Sequence, residues 1–228
     1  YSRQKLSADL EKLKSFYMNQ GYLEFAVEST QVSISPDKQD VYITANIVEG
    51  ERFQVSSVKM AGDFTIPEDE LKKLVTIKPG DVFSREKLNG TTKAISDRLG
   101  KEGYAFANVN AAPEIDKDKR TVAFTIFVDP GKRVYVRRVN VTGNTKTRDE
   151  VIRREMRQME GGWYDADKVT ASKQRIDRLG FFGDVAIETP AVSGTADQLD
   201  VNVNVTEKPT GNLMLGLGTS STDKIILS

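Results

Sequence analysis

Apolar positions along the chain change period in a fixed order, and the order recurs. Val134, Val136, Val139 and Val141 alternate with polar or charged neighbours, the pattern of a strand with one buried face. The alternation slips by one between Val136 and Val139, and again between Val55 and Val58, which predicts a β-bulge at the same place in two copies. Thr147 with Glu150, and Thr65 with Glu68, have capping-box spacing and predict the start of a short first helix. A second helix follows, with Leu6, Leu10, Leu13 and Tyr17 on one face in one copy and Leu88, Thr92, Ile95 and Leu99 on one face in the next. Ser2, Ser84 and Asp165 stand at its N-cap, and Gly21, Gly100 and Gly180 at its end. Two strands close the unit; in the last, Val201, Val203 and Val205 alternate with Asp200, Asn202 and Asn204.

The copies keep a nearly constant offset. Val55, Val58, Gly62, Leu71, Gly80 and Phe83 return 81 residues later as Val136, Val139, Gly143, Ile152, Gly161 and Tyr164. An N-terminal copy is shorter: Ser2 to Leu6 mirror Ser84 to Leu88, and Gly21 and Tyr22 mirror Gly103 and Tyr104, both 82 residues on. Its opening strand and first helix are missing, so the native chain is expected to extend upstream. The order strand, helix, helix, strand, strand predicts an α+β fold of tandem two-layer repeats, each a three-stranded mixed sheet with a helix pair on one face. A unit of about 80 residues has a thin core. The short joints at Glu49 to Glu51 and Asp129 to Gly131 favour a semi-rigid string of mutually supporting units.

Composition narrows the chemistry. The 228 residues include no cysteine and no histidine, which excludes disulfides, thiolate nucleophiles, His-based triads and Cys/His zinc sites. A hydrolase using Ser, Lys or carboxylates would need a unique polar cluster outside the repeat, and none is visible. Gly211, Gly216 and Gly218 lack the spacing of a dinucleotide loop. No enzyme activity, cofactor or metal is expected. The 33 basic and 33 acidic residues balance, which argues against nucleic acid as a partner. Locally they do not: Lys132 to Arg178 carries 13 basic and 7 acidic residues, a bias suited to contact with anionic membrane headgroups. Nothing resembles a signal peptide, and no apolar run approaches the ~18 residues of a membrane helix.

The order of elements, the spacing, and the run Arg153, Arg154, Glu155, Met156, Arg157, Gln158, Met159, Glu160, Gly161 resemble the POTRA domains of the BamA family of bacterial outer-membrane protein assembly factors. Ser29 to Ile34, followed by Pro36, Asp37 and Lys38, is similar to the second strand and hairpin of that family's third POTRA. The resemblance implies a partial third POTRA at 1–50, a fourth at 51–131, a fifth at 132–209, and the truncated start of a transmembrane β-barrel at 210–228. The alternative for the last of these, a tail with some leucines, is disfavoured by its position directly after the last unit. It further implies a periplasmic arm, anchored in the outer membrane, that gathers accessory lipoproteins and receives unfolded β-barrel proteins by strand addition. The arm of a two-partner secretion transporter is the alternative.

Three surfaces follow. The second strand of each unit, about Leu23 to Ser35 and Ala105 to Ile115, is expected at a sheet edge open to added strands. There the resemblance implies Val32 and Ile34 as contacts for the lipoprotein BamB, against a reading as ordinary sheet residues. On a helix expected from Thr147 to Glu160, the residues Arg153, Arg157 and Glu160 fall at spacings of four and three and share a face. The pattern reads either as a solvated, salt-bridged face or, by resemblance, as the docking surface for the lipoprotein BamD. The third surface is the basic last repeat. Trp163 and Tyr164 match Val82 and Phe83 and are expected as a core pair between helices.

Overall fold

In the computed structural model, residues 2–209 and the short strands at 217–219 and 225–227 are described. The first unit contributes helix α1 (Arg3–Met18) and the antiparallel pair β1 (Ala26–Ile34) and β2 (Val41–Val48). The second runs β3 (Gln54–Gly62), α2 (Glu68–Lys72), α3 (Arg85–Lys101), β4 (Asn108–Asp116), β5 (Thr121–Asp129). The third repeats it as β6 (Tyr135–Thr142), α4 (Asp149–Arg153), α5 (Ala166–Arg178), β7 (Phe182–Glu188), β8 (Gln198–Glu207). The barrel start expected at 210–228 lies outside the described residues, save that β9 (Leu217–Thr219) pairs antiparallel with β10 (Ile225–Leu227).

The last strand of each full unit is central. It runs parallel to the first strand and antiparallel to the second, giving the orders β3-β5-β4 and β6-β8-β7. A last strand flanked on both sides must alternate cleanly, and β8 buries Leu199, Val201, Val203 and Val205 against Ile152 and Ile176 of the helices. In the second unit Val122, Phe124, Ile126 and Val128 do the same against Phe83, Leu71, Ile95 and Leu99. The bulges fall where the slipped alternation put them, with register shifts at Val55/Ser57 and Val136/Arg138. Arg137, the extra residue of the third unit, is tied back to the central strand by a two-pronged pair with Asp200 at 2.9 and 2.5 Å.

Ser2, Ser84 and Asp165 cap their helices as expected, each accepting a first-turn backbone N–H. Two local expectations fail. The capping boxes do not form: α2 and α4 start at Glu68 and Asp149, after Pro67 and Arg148, without a side-chain cap. Thr147 lies one residue too far out to reach the first turn. Its own N–H, with that of Lys146 and the Thr145 hydroxyl, donates instead to Glu207 at the end of β8, at 2.7, 3.0 and 2.7 Å. Gly100 is not a helix terminator either, for α3 continues to Lys101. Gly100 is buried where α3 meets α5; a methyl there would stand 3.3 Å from Ala166 Cβ. The left-handed glycine that follows α3 is Gly103.

The units are joined twice in the same way. Gly21 and Gly103, at φ +102° and +98°, turn the chain out of the second helix, and their carbonyls accept the N–H of Phe53 and Val134, both at 2.8 Å. Arg52 and Arg133 lie across these turns, each donating Nε–H to the carbonyl before the glycine at 2.8 Å. A Cβ on Gly103 would sit 2.8 Å from the Arg133 stem, so only glycine fits under it. Bridges between successive helices add to the joint: Glu11 with Arg85 at 2.8 Å, and Lys101 with Asp167 at 3.2 Å.

Three donors on one carboxylate hold the Glu207 pKa down to about 2, with the Thr145 hydroxyl and Thr147 N–H first among the causes. The folded value lies below the unfolded one, so the stabilisation is complete above pH ~4.5 and declines as pH falls toward 2. Thermal unfolding should show Glu207→Gln less stable than wild type at pH 7, with the gap closing between pH ~4.5 and 2.

Candidate functional site

Sheet edges are the first feature with chemistry to offer, because backbone donors and acceptors on an unpaired edge can accept another strand. The second strands lie at edges as expected: β4 pairs only with β5, and β7 only with β8. Pro113 sits within β4 opposite Phe124. Proline is tolerated in a strand where its nitrogen faces away from the partner, so the missing donor falls on the open side. The longest uninterrupted template on this edge is therefore the stretch from Asn108 to Ala112. On β1, Val32 and Ile34 point to the same face at 55% and 64% exposure. Directly across the hairpin stand Ile43 and Val41, themselves exposed, so four apolar side chains form one open patch.

The charged trio is arranged otherwise than expected. The helix ends at Arg153, so Arg157 and Glu160 lie in the following loop and the three share no helical face. A helical reading fails because this loop is pinned from inside by polar groups. The Ser172 hydroxyl, on α5, accepts the Arg157 N–H at 2.8 Å and donates to Lys168 O at 2.7 Å. Gln158, only 1% exposed, accepts the Asp165 N–H at 2.9 Å and donates to Trp163 O at 3.0 Å. Neither role is visible in the sequence pattern, where Gln158 is one polar residue of the run Arg153 to Gly161. Ser172 did leave a trace there, since its counterpart Thr91 is also a small hydroxyl residue and accepts Thr76 N–H at 3.1 Å.

The loop nevertheless brings Arg153 and Glu160 together. Arg153 pairs with Asp149 in its own helix and stands 3.8 Å from Glu160. The Glu160 carboxylate accepts the Val139 N–H of β6 at 2.7 Å. The Arg157 side chain is exposed, with its guanidinium donating to the Met156 carbonyl at 3.4 Å. Val139, Arg153, Met156, Gln158, Met159 and Glu160 line an open groove of about 340 Å³. Trp163 is no core residue: it is 51% exposed, with the Arg133 guanidinium 4.6 Å over its ring and Tyr135 at its edge. Tyr164, by contrast, packs against the core, and burial raises its pKa. Of the basic residues, Lys146, Arg148 and Lys208 surround a second groove of about 350 Å³ floored by Val151 and Phe181.

Tandem mixed sheets with the last strand central and a helix pair on one face define a repeat class. The POTRA profile, described as surface antigen variable number repeat, matches residues 1–50, 53–131 and 134–208, and the chain belongs to the POTRA family. Within it the chain is similar to outer membrane protein assembly factor BamA. Identity to that of Neisseria meningitidis serogroup B is 37% over 229 residues, covering 100% of this chain and 29% of the relative. For the protein of the same name from Buchnera aphidicola, identity is 34%, covering 96% and 35%. Among solved structures, POTRA3-5 of Haemophilus influenzae BamA superposes with a TM-score of 0.83 at 34% identity, covering 89% of this chain and 80% of that one. The chain spans about a third of the length of these curated relatives.

Gln158, itself buried, bonds a half-buried donor and a half-buried acceptor at once, so Gln158→Ala should destabilise the third unit by about 2 kcal/mol. Denaturant unfolding of the chain would measure the loss. Gln158→Ile, which copies Ile77 of the second unit, should not restore it, because the orphaned Asp165 N–H and Trp163 carbonyl remain.

Proposed function

We propose that the chain is part of the periplasmic arm of an outer-membrane protein assembly factor, a binding module without chemistry of its own. Free backbone along β1 and β4, beside apolar side chains left in solvent, is the observation that carries this reading. Such an edge pairs with any extended segment, and flanking apolar residues add preference without a fixed sequence. Unfolded outer-membrane β-barrel proteins, rich in alternating strands, suit it as clients. The similarity to BamA supports the compartment and the class of client.

Two docking surfaces belong to the same proposal. The patch around Val32 and Ile34 receives BamB. The loop bearing Arg153, Arg157 and Glu160, with Met159 exposed beside them, receives BamD; a mixed charged rim around an apolar side chain is the usual make-up of a protein interface. The cations at Lys146, Arg148 and Lys208 face anionic headgroups in this reading.

Photocrosslinking in cells tests it. A photoreactive residue at Ile34 should trap BamB, and one at Ala112, on the exposed face of β4, unfolded barrel proteins, in the full protein. The same probe at Lys93, on the exposed side of α3, should trap neither. Equal adducts from all three positions, or none from the edges, contradict the proposal. Glu160→Lys should reduce BamD capture with circular dichroism unchanged; full capture would remove Glu160 from that surface.

A further inference from the structure

The two complete units treat the outer edge of their first strand differently. In both, the loop entering the second helix runs back along that edge. Gly80 N–H donates to Val55 O and Val55 N–H to Asp81 O; Gly161 N–H donates to Val136 O and Val136 N–H to Gly162 O. Past the bulge the edge turns outward again at Val58 and Val139. In the third unit the Glu160 carboxylate takes the Val139 N–H at 2.7 Å. The residue in the same place in the second unit is Pro79, whose side chain has no acceptor. There the edge opens onto a groove of about 570 Å³ in which Val58, Met60, Val75 and Ile77 are joined by four charged side chains.

We propose that Glu160 is an edge lock: its carboxylate occupies the next free donor of β6 and closes that strand to pairing with an added chain. A charge aimed at an edge is a known means of blunting it, since an incoming strand must displace the hydrogen bond and meet an anion. Arg153 Nη1 stands 3.8 Å from the same oxygen, Oε1, that accepts the N–H, and balances its charge at a longer distance than the 2.7 Å hydrogen bond. The lock acts through Val139 and the loop, so Glu160 is a positioning residue whatever docks beside it. Strand addition to the third sheet is thereby directed to β7, whereas the second sheet keeps β3 open past its bulge.

Amide hydrogen exchange resolved by residue tests the lock without reference to any lipoprotein. The Val139 amide should exchange slowly in wild type and in Glu160→Gln, which keeps an acceptor oxygen, and about tenfold faster in Glu160→Ala. Transplanting the lock with Pro79→Glu should slow the Val58 amide. A spin-labelled Val-Thr-Val-Thr-Val-Thr-Val peptide, added as an extended strand, should broaden the amides of Val139 to Val141 in Glu160→Ala and not in wild type. Unchanged Val139 exchange in Glu160→Ala, failure of Gln to restore protection, or equal broadening of β6 in both proteins overturns the proposal. If BamD capture falls in Glu160→Lys while Val139 protection is unaltered in Glu160→Ala, the docking reading stands and the lock does not.

Discussion

One repeated hydrogen bond ties the units into an arm. The carbonyl of a left-handed glycine, Gly21 or Gly103, receives the N–H of the first fully buried residue of the next unit, Phe53 or Val134. The joint is therefore continuous with the core of the following sheet. Swinging one unit against the next would strip a buried N–H of its acceptor and lift an arginine stem from the turn it covers, both unfavourable away from water. The helices repeat the message, with Gly100 admitting Ala166 where α3 meets α5. Units of this size gain stability from such neighbours, and the same contacts fix how each sheet edge is presented relative to the next.

On this constant frame one stretch differs in chemistry between the two complete units. The stretch that follows the first helix and skirts the outer edge of the first strand has Ile77, Pro79 and Val82 in the second unit and Gln158, Glu160 and Trp163 in the third. Each change exchanges an apolar or inert residue for one able to bond or stack. Gln158 can afford to be buried because it satisfies a donor and an acceptor of its own loop. Trp163 lies open because the Arg133 guanidinium covers one face of its ring, a favourable cation–π arrangement. One scaffold thus supports an open groove of mixed apolar and charged lining in one unit and a hydrogen-bonded, aromatic surface in the other.

The parts of this design legible in the sequence are those governed by neighbours along the chain. The bulges at Val55 and Val136 show as slipped alternation, and Ser84 and Asp165 cap helices whose donors lie within three residues of them. Contacts between distant residues are not legible in this way. Glu207 displaces the capping box at Thr147 from 60 positions away, and Val139 claims Glu160 from 21. The run Arg153 to Glu160 is rich in good helix formers with charges four apart, which local propensity reads as helix; Ser172 and the burial of Gln158 overrule it. Val32 and Ile34 stood out through resemblance, and only the hairpin register reveals that Ile43 and Val41 complete their patch.

The most direct test of a jointed but stiff arm is the distribution of distances between nitroxide labels at Glu114 on β4 and Glu188 on β7, measured by pulsed electron resonance. A joint continuous with the core predicts one narrow peak in wild type that broadens when Arg133→Ala is combined with Gly103→Val. A broad wild-type distribution, indifferent to those substitutions, would show that the units move independently and that no fixed presentation of edges exists.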